Sequence, residues 1–229
     1  MLRTLTLLLW CYSAAAAVVA GLSLTGTSEA SPVSIGAKLG DNRTPDGRPI
    51  HCDLPKSLHM MNAGGSDRAG LCVFTSGEHS AMWHNIEGLY GLQEWCKRRP
   101  GGGWPDKLDK VIAEVSAERR CSKPRYIQVE SCDLEILKLA CRTGRLPCVT
   151  YGFSPTNRYG GQRISHMVNI LHADDDWFCV LDNNFPGTYE WMSPTEFSRT
   201  YCDGRGTGWC VIFLSPGPPP ALTPKGPYQ

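Results

Sequence analysis

The chain lacks the short-range patterns that mark the common metal and nucleic-acid functions. None of its eleven cysteines forms a C-x-x-C pair, no H-E-x-x-H string occurs, and His79 and His84, five apart, do not share a helix face. No metal site and no cofactor are therefore expected. Charge of one sign is missing as well. The 23 basic and 22 acidic residues leave a net charge of +1, which gives no basis for a nucleic-acid or anionic-membrane partner. No internal repeat is visible, so the chain reads as one domain.

Charge is also absent from Thr4 to Ser28, between Arg3 and the small-x-small exit Ser28-Glu29-Ala30. Residues 1–30 are read as a signal peptide. The alternative is an N-terminal anchor, because the apolar part from Leu5 to about Leu24 is long enough to cross a bilayer. Either way the remainder is expected outside the cytoplasm, extracellular or periplasmic, or held at a membrane by that segment. In such a compartment most of the cysteines are expected to pair. With Cys11 in the leader set aside and one nucleophilic cysteine kept free, nine remain, an odd number whose connectivity the sequence leaves open.

Residues 31–50 form a Gly, Pro and Asp-rich leader loop that includes the acceptor string Asn42-Arg43-Thr44. Residues 51–214 form the domain, and residues 215–229 a Pro-rich tail unable to pack. Leu71, Phe74, Gly77, Ala81, Met82, Ile86 and Leu89 recur at three and four, predicting a helix with one buried stripe. Pro105 opens a second helix, and Asp133 to Cys141 is a third, closed by Gly144. Strands are expected at Tyr126–Glu130, Pro147–Phe153 and Trp209–Leu214. Ser165–His172 and Trp177–Asp182 are expected to form a hairpin around Asp174-Asp175-Asp176. Ser193-Pro194-Thr195-Glu196 is a capping box before a short helix. Helices followed by an antiparallel sheet make an α+β chain, with any cleft between a helical half and a sheet half.

Three residue types in this order carry a chemistry. Cys72 follows the small-residue loop Ala63–Gly70 and opens a helix, where the unpaired N–H groups of the first turn lower a thiol pKa. His166 comes 94 residues later at the start of an alternating strand. Asp182 comes 16 residues after that, in Val180-Leu181-Asp182-Asn183-Asn184. This is a nucleophile, a base and an orienter. Asp182 and Asn183 compete for the third role, because they point to opposite faces of a regular strand and a bulge would exchange them. Each residue also has an ordinary explanation: half of a disulfide, a satisfied sheet histidine, and turn formers that end a strand.

On these residues the chain resembles the papain-like cysteine peptidases, and within them the bacteriocin-processing branch. The resemblance is carried by Gly70-Leu71-Cys72, Asp133–Leu137 leading through Gly144-Arg145-Leu146-Pro147 into a strand, Ser165–Ile170, and Trp177–Asn184. It implies a papain-like fold whose N-terminal helical half carries the Cys and whose C-terminal antiparallel half carries His and Asp or Asn. It further implies a thiol hydrolase cleaving amide bonds of a peptide or protein. The Cys-Gly-Ser-Cys-Trp type of string is absent, and the Cys-to-His interval is short for a cathepsin. No glutamine precedes Cys72 to supply an oxyanion donor, which leaves the Cys72 N–H with Asn62 or Ser66. Two rivals stand beside this expectation: a transglutaminase-like acyl transferase, and a non-catalytic secreted binding domain with Cys72 in a disulfide. The sequence carries no signal of oligomeric state.

Overall fold

The computed structural model describes residues 43–65, 67–202 and 208–217. The expected signal segment, the first part of the leader with Asn42, and most of the tail lie outside these residues, as does Ser66.

In chain order the elements are α1 (Cys72–Trp83), α2 (Leu92–Lys97), α3 (Pro105–Glu118), β1 (Tyr126–Ser131), α4 (Leu134–Arg142), β2 (Cys148–Tyr151), β3 (His166–Ala173), β4 (Phe178–Leu181), β5 (Tyr189–Met192), α5 (Pro194–Tyr201) and β6 (Gly208–Phe213). The strands form one antiparallel sheet in the order β1-β6-β2-β3-β4-β5. The chain is therefore α+β. Burial explains the order. Every residue of β3 and β6 is buried, so both strands need cover on both faces and lie inside the sheet. β1 leaves Ile127 exposed and forms one edge, while the half-buried β5 forms the other.

Each sheet face carries its own helices. Leu71, Phe74, Leu108 and Ile112 pack against Cys148, Met167 and Val211 on one side. Leu137, Phe197 and Tyr201 pack against Val149, Val168, Ile170 and Ile212 on the other. The expected division into a helical half and a sheet half is thus incomplete, because α4 and α5 cover the face that α1 and α3 leave open. Residues 50–54 add an apolar strap, Ile50, Cys52 and Leu54, over Leu171, Cys179 and Leu181. Burying each large apolar side chain contributes about 1.5–3 kcal/mol.

Helix α1 departs from the expected stripe in two ways. It ends at Trp83 instead of running on to Leu89, because Asn85 takes the left-handed conformation (φ 54°) and the Ile86 N–H returns to the Ala81 carbonyl at 2.8 Å. Ten of its twelve residues are buried, so it has no solvent face. Of its polar residues, Ser76, His79 and Ser80 face the sheet, whereas Thr75 and Glu78 bond to the start of α2. The Ser76 hydroxyl donates to the Met167 carbonyl, and Asn169 Nδ2 donates to the Ser76 carbonyl and the Ser80 hydroxyl. The helix starts that sequence places at Pro105, Asp133 and Ser193 are present, the last as a complete capping box.

Cysteine pairing is the clearest correction. Among the described residues one disulfide is present, Cys132–Cys202, tying the end of β1 to the C-terminus of α5, and eight cysteines including Cys72 are free. Cys121 is exposed and the other six are buried, Cys52 lying against Cys141. Cys148 and Cys210, on neighbouring strands, belong to clusters on opposite faces.

Candidate active site

Cys72 is the first helical residue of α1, and Leu71 before it supplies no side-chain cap. The N–H groups of the first turn are consequently without intrahelical partners and present a partial positive charge to the sulfur. The thiol takes backbone N–H groups of Met167 and Val73 and a hydrogen bond from His166. Burial pushes its pKa upward. The His166 contact and the two N–H groups outweigh that, so the thiol lies below its ordinary value of 9.0.

His166 opens β3, directly across the cleft. Its Nε2 meets Asp182 Oδ1 at 2.8 Å, which leaves Nδ1 as the nitrogen for Cys72. Burial works against a charged imidazole here, yet the Asp182 and Cys72 contacts push His166 up to about 9. A depressed thiol and a raised imidazole in contact favour transfer of the thiol proton to the ring.

Asp182 follows the last residue of β4 and is fully buried. Its Oδ1 accepts from His166 and from the Asn184 N–H at 2.8 Å, and its Oδ2 accepts from the Tyr159 hydroxyl at 2.6 Å. Burial pushes this carboxyl up, but those donors hold it below the ordinary carboxylate value. Asn183 points the other way. Its Nδ2 donates to the Cys72 carbonyl at 3.2 Å, the Ser76 hydroxyl at 2.9 Å and the Met167 carbonyl at 2.9 Å. The two competitors are thus separated: Asp182 touches the imidazole, and Asn183 fastens the start of α1 to β3.

Asn62 also reaches the site. Its Oδ1 accepts the Leu71 N–H at 2.7 Å and its Nδ2 donates to Asn184 Oδ1 at 3.0 Å, beside Cys72 in the cleft wall. The cleft has a volume of about 570 Å³, and its walls include Gly103, Trp104, Tyr159 and Trp209. A Cβ on Gly103 would lie 2.5 Å from Val73, so the glycine lets this wall close on α1. A smaller cavity of about 450 Å³ lies beyond Trp104 against α3 and holds no nucleophile–base pair. His172 is bonded to Asp174 at 2.8 Å and stacked on His51, away from Cys72. No group of three or more His, Cys, Asp or Glu side chains suited to a metal ion occurs among the described residues.

Residues 158–159 and Glu190 were not singled out by sequence. Tyr159 lies in the β2–β3 connection, whose Asn, Gly and Pro content reads only as a loop. No family model matches the chain, and no curated protein matches it.

Proposed function

We propose that this chain is an exported or membrane-anchored thiol hydrolase of papain-like type that cleaves amide bonds in a peptide or protein. One observation carries the proposal: a helix-start cysteine in contact with a histidine whose far nitrogen is held 2.8 Å from a buried carboxylate, at the wall of an open cleft. The Cys72 thiolate attacks the scissile carbonyl, and the oxyanion rests on the Cys72 N–H with the Asn62 amide as second donor. The imidazolium passes its Nδ1 proton to the leaving amine. Neutral His166 then takes a proton from water, which hydrolyses the thioester, while Asp182 keeps the ring in one tautomer and orientation. Asn183 acts through the backbone, by fixing α1 against β3.

The test is incubation with a peptide library, followed by intact mass and peptide mapping. Cleavage products and an acyl adduct on Cys72, both absent in Cys72→Ala, are expected. The same run with an added primary amine separates hydrolysis from acyl transfer, since a transferase would give the amide of that amine as its main product. Folded protein that forms neither adduct nor product across the library would leave the binding-domain alternative.

A further inference from the structure

A second buried carboxylate lies behind the first. Glu190, on β5, is 2% exposed, and its oxygens accept the hydroxyls of Tyr151, Ser154 and Thr156. Arg158 stands between the two acids: its Nη1 is 3.7 Å from Asp182 Oδ2 and 3.8 Å from Glu190 Oε2. That nitrogen is buried and donates no hydrogen bond, and the guanidinium lies 5.1 Å from the Phe185 ring. Charges thus alternate from Glu190 through Arg158, Asp182 and His166 to Cys72. Arg158 is held at ion-pair distance from both acids, in hydrogen-bond contact with neither.

We propose that Glu190 and Arg158 are positioning residues that set how much of the Asp182 charge is left for His166. This rests on the thiol-hydrolase reading of the same site and adds a control to it. With Glu190 present, the guanidinium is shared between two carboxylates. Without its charge, Arg158 turns wholly to Asp182, and the imidazolium loses part of its counter-charge. Without Arg158, Asp182 serves His166 alone. Two buried acids and one arginine in low-dielectric surroundings make the balance steep, since charges about 4 Å apart interact several-fold more strongly there than in water. Tyr159, donating to Asp182 Oδ2, fixes the oxygen that faces Arg158 and so keeps the other aimed at His166. The remaining titratable neighbours are Tyr151 beside Glu190 and Cys72 beside His166.

The test is the titration midpoint of the His166 imidazole, followed by side-chain NMR of the full chain in Glu190→Gln, Arg158→Met and the double variant. Glu190→Gln is expected to lower the midpoint by about one pH unit, Arg158→Met to raise it by a similar amount, and the double variant to return it towards the starting value. Opposite shifts that cancel are not produced by loosened packing. Thermal melts establish that each variant is folded. If Glu190→Gln does not fold, the upward shift in Arg158→Met decides alone, because Arg158 is less deeply buried than Glu190. No movement in either single variant, or movement of both in one direction, overturns the proposal. Iodoacetamide labelling of Cys72 in the unaltered protein reports separately on the hydrolase reading, so loss of that reading and loss of this one are told apart.

Discussion

Asp182→Asn removes one negative charge while keeping the shape of a side chain that is fully buried and accepts from three donors. Alanine would leave a hole and three unpaired donors there, so asparagine is the cleaner change. His166 stands at about 9 against an ordinary 6.5, and the contact with Asp182 is the largest of those that raise it. The net difference is about 2.5 units, or roughly 3 kcal/mol, which sets the scale of the electrostatic loss at about 300-fold in the population of the ion pair. The tautomer adds to this. The amide introduced by the substitution would donate to Nε2, leaving the ring proton on Nδ1, where the imidazole cannot accept the thiol proton. A fall on the order of 10² in the rate constant for iodoacetamide alkylation of Cys72 at pH 6–7 is therefore expected, with both proteins folded by thermal melt. Alkylation of Asp182→Asn at the unaltered rate at pH 6 would refute the orienting role.

Asn183→Ala removes three buried donations and is expected to destabilise the fold by about 3 kcal/mol, read as a lower melting temperature, without moving the His166 midpoint. Burial lowers His79 and His84 to about 4. The unfolded chain therefore binds more protons than the native state between about pH 6.5 and 4, and the melting temperature should fall across that window on acidification, less steeply in His79→Gln. Reduction of Cys132–Cys202, a pair 70 residues apart, should lower the melting temperature, with chain entropy setting a ceiling of about 4 kcal/mol.

The positions of the proposed nucleophile and base were legible because each rests on local pattern. Cys72 follows a small-residue loop and precedes helical spacing, and His166 begins an alternating strand. Asp182 and Asn183 lie past Leu181, the end of β4, at a turn closed by the Phe185 N–H on the Asp182 carbonyl, so strand alternation alone did not decide between them. What was not legible depends on contacts distant in sequence. β6 lies between β1 and β2, so its place is set by burial on both faces. The end of α1 at Trp83 turned on Asn85, one residue in a left-handed conformation inside an otherwise continuous apolar pattern. Cysteine number implied many disulfides, whereas pairing depends on which faces the thiols share. Arg158, Tyr159 and Glu190 carry no motif; Arg158 and Tyr159 approach Asp182, and Glu190 approaches Arg158.

The central claim is that Cys72 is held as a thiolate by His166, and its relative reactivity tests this most directly. Among the described free cysteines Cys121 is exposed, while Cys72 is only partly so. Access alone would favour Cys121, and electrostatics favours Cys72. The measurement is sub-stoichiometric iodoacetamide labelling at pH 6 without reductant, quantified by peptide mass. Label concentrated on Cys72, and lost from it in His166→Ala, is the expected result. Cys72 found in a disulfide, or labelled no faster than Cys121, would contradict the claim.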